Sequence, residues 1–380
     1  MKIIQKQILL LMVIVLVCSG CIVKTQPLEQ LGLATAVGID QAKGNKLKGV
    51  VVLHHFGSRP EDVAQQLTSS GYTDKGLRKF MNLETSDRLV TGQLRVAVYG
   101  KELAKKRGII ELVESLKRDA STQTNMYLAI SETTARDILF QQKTESSKNM
   151  GTYLYKMIRQ NIEEEQVVSC TVQEFLRDYY QVGRDPVLPM MEKRRDYVLI
   201  DAVALMKGSK FAAKVPARNE FFIRMLRDGY KGTVVDLELP FEPFQKLYKQ
   251  KNKPKSIHVN IRNITAKRKI QLMKQNPPVF DVDVKLTGSI AELTEEIDLG
   301  QPGIYEVFEK AIDKKVKAEL IKTIKKMQKI NVDPIGFGAI YDTSVRNLSL
   351  TNTKWYKNLY PNAQFRIHID TTIKRSGVLN

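Results

Sequence analysis

The chain has 380 residues, 43% hydrophobic and 27% charged, the balance of an ordinary globular protein with room for two or three domains. Lys and Arg number 60 against 41 Asp and Glu, a formal +19, which points to an anionic surface as partner or to a well-solvated exterior. The lysines are dispersed and no aromatic run lies among them to stack bases, so nucleic acid is not the expected partner.

The first stretch to read is MKIIQKQILLLMVIVLVCSGC. Lys2 and Lys6 precede an unbroken apolar run from Ile8 to Val17, too short for the roughly 20 residues of a membrane span but right for a secretory signal. Ser19-Gly20-Cys21 resembles the lipobox of bacterial lipoproteins, with Cys18 where leucine is usual. This predicts cleavage between Gly20 and Cys21 and a covalent diacylglycerol on the Cys21 sulfur. Two acyl chains, at about 0.8 kcal/mol per buried CH₂, hold a protein on a bilayer without a transmembrane helix. Residues 1–20 are then signal peptide and 21–27 a lipidated tether. An ordinary secretory cut near Gly20, or an uncleaved anchor helix, would use the same apolar run.

Beyond the tether, Leu31–Ile39 and Val50–His55 read as strands joined by a turn-rich link. Ser58 caps a helix beginning Arg59-Pro60-Glu61-Asp62, and a second short helix covers Asp74–Met81. A strand at Leu94–Tyr99 feeds a helix from Lys101 to Lys117, with Ile109, Leu112, Val113 and Leu116 on one face. The strand Met126–Ile130 follows, so the spacing predicts a parallel crossover. Helices are expected at Thr134–Gln141, Gly151–Ile162 and Gln173–Tyr180, the last opened by the capping box Thr171-x-x-Glu174.

Gly183–Asp196, Pro-bearing and charged, reads as a boundary, giving an N-terminal α/β domain over 28–190 and a C-terminal α+β domain over 191–380. After it the texture becomes hairpin-like. Strands are predicted at Val198–Met206, Phe211–Ala213, Gly232–Leu239, Ser256–Ile264, Lys269–Met273 and Phe280–Gly288, with a helix at Pro216–Arg227. The longest helix is Pro302–Lys329, with an apolar stripe of Ile304, Phe308, Ile312, Val316, Leu320, Ile324 and Met327 and lysines crowding its other faces. A closing strand puts Phe365, Ile367, Ile369 and Ile373 on one face. The expected fold class is α+β, a multidomain mixed-sheet protein with no transmembrane helix after the signal.

Catalytic patterns are missing. His54, His55, His258 and His368 form no metal-spaced cluster. There is no G-x-S-x-G elbow, Gly44 and Gly49 lack the Lys-Ser/Thr of a phosphate loop, and Gly336-Phe337-Gly338 lacks the third glycine and leading strand of a dinucleotide fingerprint. With Cys18 lost and Cys21 lipidated, Cys170 has no disulfide partner and is expected to be a small buried thiol. No catalytic residue, metal site or cofactor other than the lipid is predicted.

An ordered series of segments resembles the Ger(x)C lipoproteins, the C subunits of nutrient germinant receptors of endospore-forming bacteria. It comprises Cys21, then Leu28–Asp40 (LEQLGLATAVGID), Thr91–Gly100 (TGQLRVAVYG), Leu116-Lys117-Arg118-Asp119, Tyr127–Ile130, Asp333–Gly338 (DPIGFG), Trp355 and Ile373–Gly377 (IKRSG). The family often has a second Trp or an acidic stretch where this chain has Asn358-Leu359-Tyr360. The resemblance implies a non-enzymatic, lipid-anchored subunit on the outer face of the spore inner membrane. It would act with integral-membrane A-type and B-type subunits that respond to small nutrients and trigger release of ions and dipicolinate. A rival from another class is the solute-binding lipoprotein of a transporter, which needs two lobes crossed twice by hinge strands. A cell-wall hydrolase, which needs facing carboxylates in a groove, is a third.

Overall fold

The computed structural model describes residues 3–6, 30–55, 64–140, 149–195, 197–246, 248, 254–347 and 349–375. The lipobox with Gly20 and Cys21, the tether and the helix expected from Ser58 lie outside the described residues. So does the end of the closing segment, Ser376-Gly377.

The first sheet is built from β1 (Leu31–Gln41), β2 (Leu47–His54), β3 (Ala64–Gly71), β4 (Arg88–Val90), β5 (Val96–Gly100), β6 (Tyr127–Ser131), β7 (Val187–Lys193), β8 (Val198–Lys207) and β9 (Lys210–Pro216). Its order is β3-β2-β1-β5-β6-β7-β8-β9, with β4 paired beside β1. The centre is parallel, β1 to β5 to β6 to β7, and antiparallel hairpins flank it on both sides. Parallel strands need covered faces, and this sheet has both covered. On β5, Ala97 and Tyr99 enter a core with α1 (Asp74–Met81), α2 (Lys101–Lys106), α3 (Ile110–Arg118) and α6 (Val172–Tyr180). Val96 and Val98, one residue out of phase, enter a second core with α4 (Ala135–Leu139) and α5 (Met150–Glu163).

The second sheet has the order β10-β11-β12-β13, comprising Tyr230–Pro240, Ser256–Gln275, Pro278–Leu293 and Gln364–Ile373. The first three strands are antiparallel and β13 is parallel to β12. The parallel return is made through α8 (Ile304–Lys329), which packs on β13 and β10. Here only one face is dry. Phe280, Val282, Val284 and Leu286 are buried, while Asp281, Asp283 and Lys285 between them reach solvent. The chain passes between sheets through a 3₁₀ turn at Ala217–Asn219 and α7 (Glu220–Arg227).

Mixed α+β architecture, the crossover, the Thr171/Glu174 capping box and the alternation of the last strand are as expected. Several boundaries differ. The helix expected over Lys101–Lys117 is two helices, because Gly108 sits at φ +83° and the Ile109 amide donates to the Ser209 carbonyl in the β8–β9 turn (3.0 Å). The strands expected at Ser256–Ile264 and Lys269–Met273 are one, β11, with a bulge between Arg262 and Thr265 where Asn263 takes φ +51°. Gly183–Asp196, read as a boundary, carries β7 in the body of the first sheet. The first sheet runs on to Pro216 and the second begins at Tyr230. Among the described residues no helix is long and apolar enough to cross a membrane.

Candidate functional site: the polar seam between the sheets

Where the two sheets meet, the loop before β7 and the segment after α8 bring two aspartates together. Asp185 and Asp333 are 2% and 0% exposed. Two bonds link them: the Asp185 amide donates to the Asp333 carbonyl, and the Asp333 amide to the Asp185 carboxylate, both at 2.8 Å. Asp185 also accepts from the Gly208 amide (2.7 Å) and the Tyr356 hydroxyl (2.6 Å).

Asp333 is the hub. One carboxylate oxygen accepts the amides of Gly336 (2.8 Å) and Phe337 (3.1 Å), the other the Gly338 amide (2.9 Å) and the Trp355 indole N–H (3.1 Å). The Gly336-Phe337-Gly338 turn, which lacks the third glycine of a dinucleotide fingerprint, therefore cradles a carboxylate of its own chain. It opens α9 (Phe337–Ser344). Burial pushes the Asp333 carboxyl up to about 7 against the pull of the three amides, and burial likewise raises Asp185. Lys207 is the nearby cation. Its ammonium donates to the Asn331 carbonyl and lies 3.0 Å from the centre of the Tyr356 ring, and burial lowers it to about 8.

Contact across the seam is close enough to demand glycine. A Cβ on Gly338 would lie 2.5 Å from the Gly183 Cα and 2.7 Å from the Trp355 indole. Gly183 itself has φ +67°. Around this contact, Trp355, Tyr360 and Phe337 are fully buried. A buried ion pair, Asp178 on α6 with Arg227 on α7, joins the sheets a second time, and Arg184 adds a 3.0 Å contact to Asp178. The seam is filled with ring, carboxylate and backbone, and the carboxylates of Asp178, Asp185 and Asp333 are each held by named donors.

The other segments of the family resemblance serve the same end. Asp40, at the end of β1, accepts the amides of Ala135 (2.7 Å) and Arg136 (3.0 Å), capping α4 from 95 residues away. Asp119 accepts from Arg78 (2.6 Å), Thr91 (3.2 Å) and Ser121. Burial pushes its carboxyl up, but the Ser121 and Arg78 bonds outweigh this and bring it to about 2. The Lys374 amide bonds the Gly288 carbonyl, tying the end of β13 to β12.

The histidines stay apart. His55 meets Asp87 (2.6 Å) and Gln65, His258 meets Asp236 (3.2 Å), and His368 is exposed on β13. Among the described residues no group of three or more His, Cys, Asp or Glu is placed to hold a metal ion. Cys170 is buried and free, and burial raises its thiol. Sequence reading quoted Asp333 and Trp355 only as family markers and missed Asp185, Lys207 and Tyr356. Asp-Pro at 185–186 is a local turn signal, and nothing local links it to a partner 148 residues away.

Two family models match the chain in order: "Spore germination protein N-terminal domain" over residues 24–193 and "Spore germination B3/GerAC like, C-terminal" over 201–377. Spore germination protein GerQC of Bacillus cereus is 25% identical over 98% of this chain and 99% of its own length. Spore germination protein KC of Bacillus subtilis is 23% identical over 98% and 95% respectively. The crystal structure of the GerBC protein shares the fold, with a TM-score of 0.55 at 15% identity over 89% of this chain and 97% of that one. The chain belongs to the GerAC-like family of spore germination proteins.

Proposed function

We propose that this chain is the lipid-anchored C subunit of a nutrient germinant receptor in the spore inner membrane, a non-enzymatic partner of integral A-type and B-type subunits. The observation that carries this reading is the end-to-end, in-order match to both spore germination domains, 24–193 and 201–377, directly after a lipobox-like Cys21. A body held at the bilayer by a diacylglycerol on Cys21 meets its membrane partners at raised effective concentration. Docking surfaces then carry the function.

The seam supports this over the solute-binding alternative. A two-lobed binding protein closes a cleft about hinge strands crossed at least twice. Here the chain changes sheet once, through residues 217–229, and the junction is packed with Trp355, Tyr360 and the Asp185–Asp333 pair.

Mass spectrometry of the leading peptide from the native host tests the anchor. The expected product begins at Cys21 with a diacylglyceryl thioether, and Cys21→Ala moves the protein from the membrane to the supernatant in a high-salt wash, where surface charge is screened. An unmodified thiol, or a terminus elsewhere, overturns it. Co-purification from spore membranes tests the assembly: integral partners should follow the chain in stoichiometric yield.

A further inference from the structure

The helix α8 carries charge in a way that no other helix among the described residues does. From Lys310 to Lys329 every exposed residue is lysine except Ala318: Lys310, Lys314, Lys317, Lys322, Lys325 and Lys329, with Lys326 tied to the Lys214 carbonyl. The acids of the same stretch are turned away or occupied. Glu319 is shared between Lys315 (3.2 Å) and Lys322 (3.8 Å), and Asp313 faces Thr371 on β13. Lysines therefore stack on lysines at i, i+4 in the pairs 310/314, 322/326 and 325/329, where like charges repel.

A merely solvated face is built differently, and the first sheet's helices show how. Glu102 pairs with Lys106, Arg107 with Glu111, Glu114 with Arg118 and Arg159 with Glu163, each four residues apart at 2.5–3.2 Å. We propose that the lysine face of α8 is a docking surface for an anionic lipid bilayer, along which the helix lies flat. At 26 residues it presents about 39 Å of length.

Charge complementarity selects lipid over protein as the occupant. Protein interfaces are depleted in lysine and anchored by Trp, Tyr and Arg, and this face has no arginine and no exposed aromatic. Flexible ammonium stems suit the diffuse negative field of a leaflet. The apolar stripe of α8 (Ile304, Phe308, Ile312, Val316, Leu320 and Ile324) is buried in the core of the second sheet, so no apolar face is free to insert. Attachment would be electrostatic and removed by salt, which shortens the screening length to about 3 Å at 1 M.

The test uses residues 21–380 with Cys21→Ser, which leaves the described body from residue 30 onward intact and carries no lipid. Its outcome is therefore independent of the anchor proposed above. Co-sedimentation with phosphatidylglycerol-containing vesicles is expected, with none on pure phosphatidylcholine. Replacing Lys314, Lys317, Lys325 and Lys329 with Gln should weaken binding on the order of tenfold or more. Replacing the exposed Lys75, Lys79, Lys105 and Lys117 with Gln, the same charge change on the first sheet's side, should change it little. Circular dichroism would verify that both variants fold. Equal losses in the two variants, equal binding to neutral vesicles, or full binding by the α8 variant would overturn the assignment. So would lysines on α8 that gain protection only when partner subunits are added.

Discussion

The two sheets solve the problem of burial differently. The first is covered on both faces, so β5 is buried from Val96 to Gly100 and its helices meet water with paired charges. The second keeps one face wet, so β12 alternates, and its dry face is covered by α7, α8 and α9 with the helical turns around Trp355. A doubly covered sheet has its exterior set by short amphipathic helices with local ion pairs. A singly covered one leaves a long helix and an open strand face free to specialise. The lesson is that surface chemistry in this molecule follows sheet architecture, with the seam at Asp185 and Asp333 joining two bodies of different design.

The strongest way to break that junction is Asp333→Asn. A single amide oxygen cannot satisfy four donors aimed at two carboxylate oxygens, and its NH₂ opposes two of them. A loss of about 3 kcal/mol is expected in chemical denaturation above pH 7, where Asp333 is ionised, with the two sheets losing structure at separate midpoints. The same variant sharpens the electrostatics. Folded Asp333 keeps its proton up to about pH 7, whereas the unfolded carboxyl releases it near 3.8. The folded state thus binds more protons between these values, and this group's contribution to stability falls as pH rises from about 4 to about 7. That component of the pH slope should vanish in Asp333→Asn.

Next in size is Gly338→Ala, which drives a methyl into the Gly183 backbone and the Trp355 ring and should cost about 2 kcal/mol. Trp355 fluorescence would report whether the ring shifts before the chain unfolds. The smallest effect probes the contrast in surface design. Lys325→Glu faces Lys329 one turn on and Lys322 one turn back, so it should raise thermal stability by about 0.3 kcal/mol. A helix that gains stability by losing a lysine holds its charge for a purpose other than folding.

Much of this architecture was legible before any coordinates. Alternation in β13, the stripe on α8, the Thr171 capping box and the parallel crossover follow from periodicity and cap chemistry, which act over a few residues. Local signals failed where a distant partner decided the outcome. Gly108 ends α2 because the β8–β9 turn takes up the next amide, and β11 runs on through Asn263 because β12 is there to absorb the bulge. The Pro-bearing stretch at 183–189 enters the buried seam, where the chain needs the same turn residues as one leaving a domain, and the two family models divide shortly after it, between 193 and 201.

By itself the sequence determined most of the helices and the longer strands, though not β3, β4, β7 or α9, together with the excess of basic charge and an ordered set of motifs sufficient to place the chain in its family. Only the tertiary structure decided what those motifs do. Asp40, Asp119 and Asp333 are each bonded by groups far along the chain, and a carboxylate's role depends on which donors folding brings to it. It also decided that, from Lys310 to Lys329, the exposed positions of α8 are lysines apart from Ala318, with Glu319 half-buried between Lys315 and Lys322. Helical period places side chains on a face, but only packing determines which face remains in water.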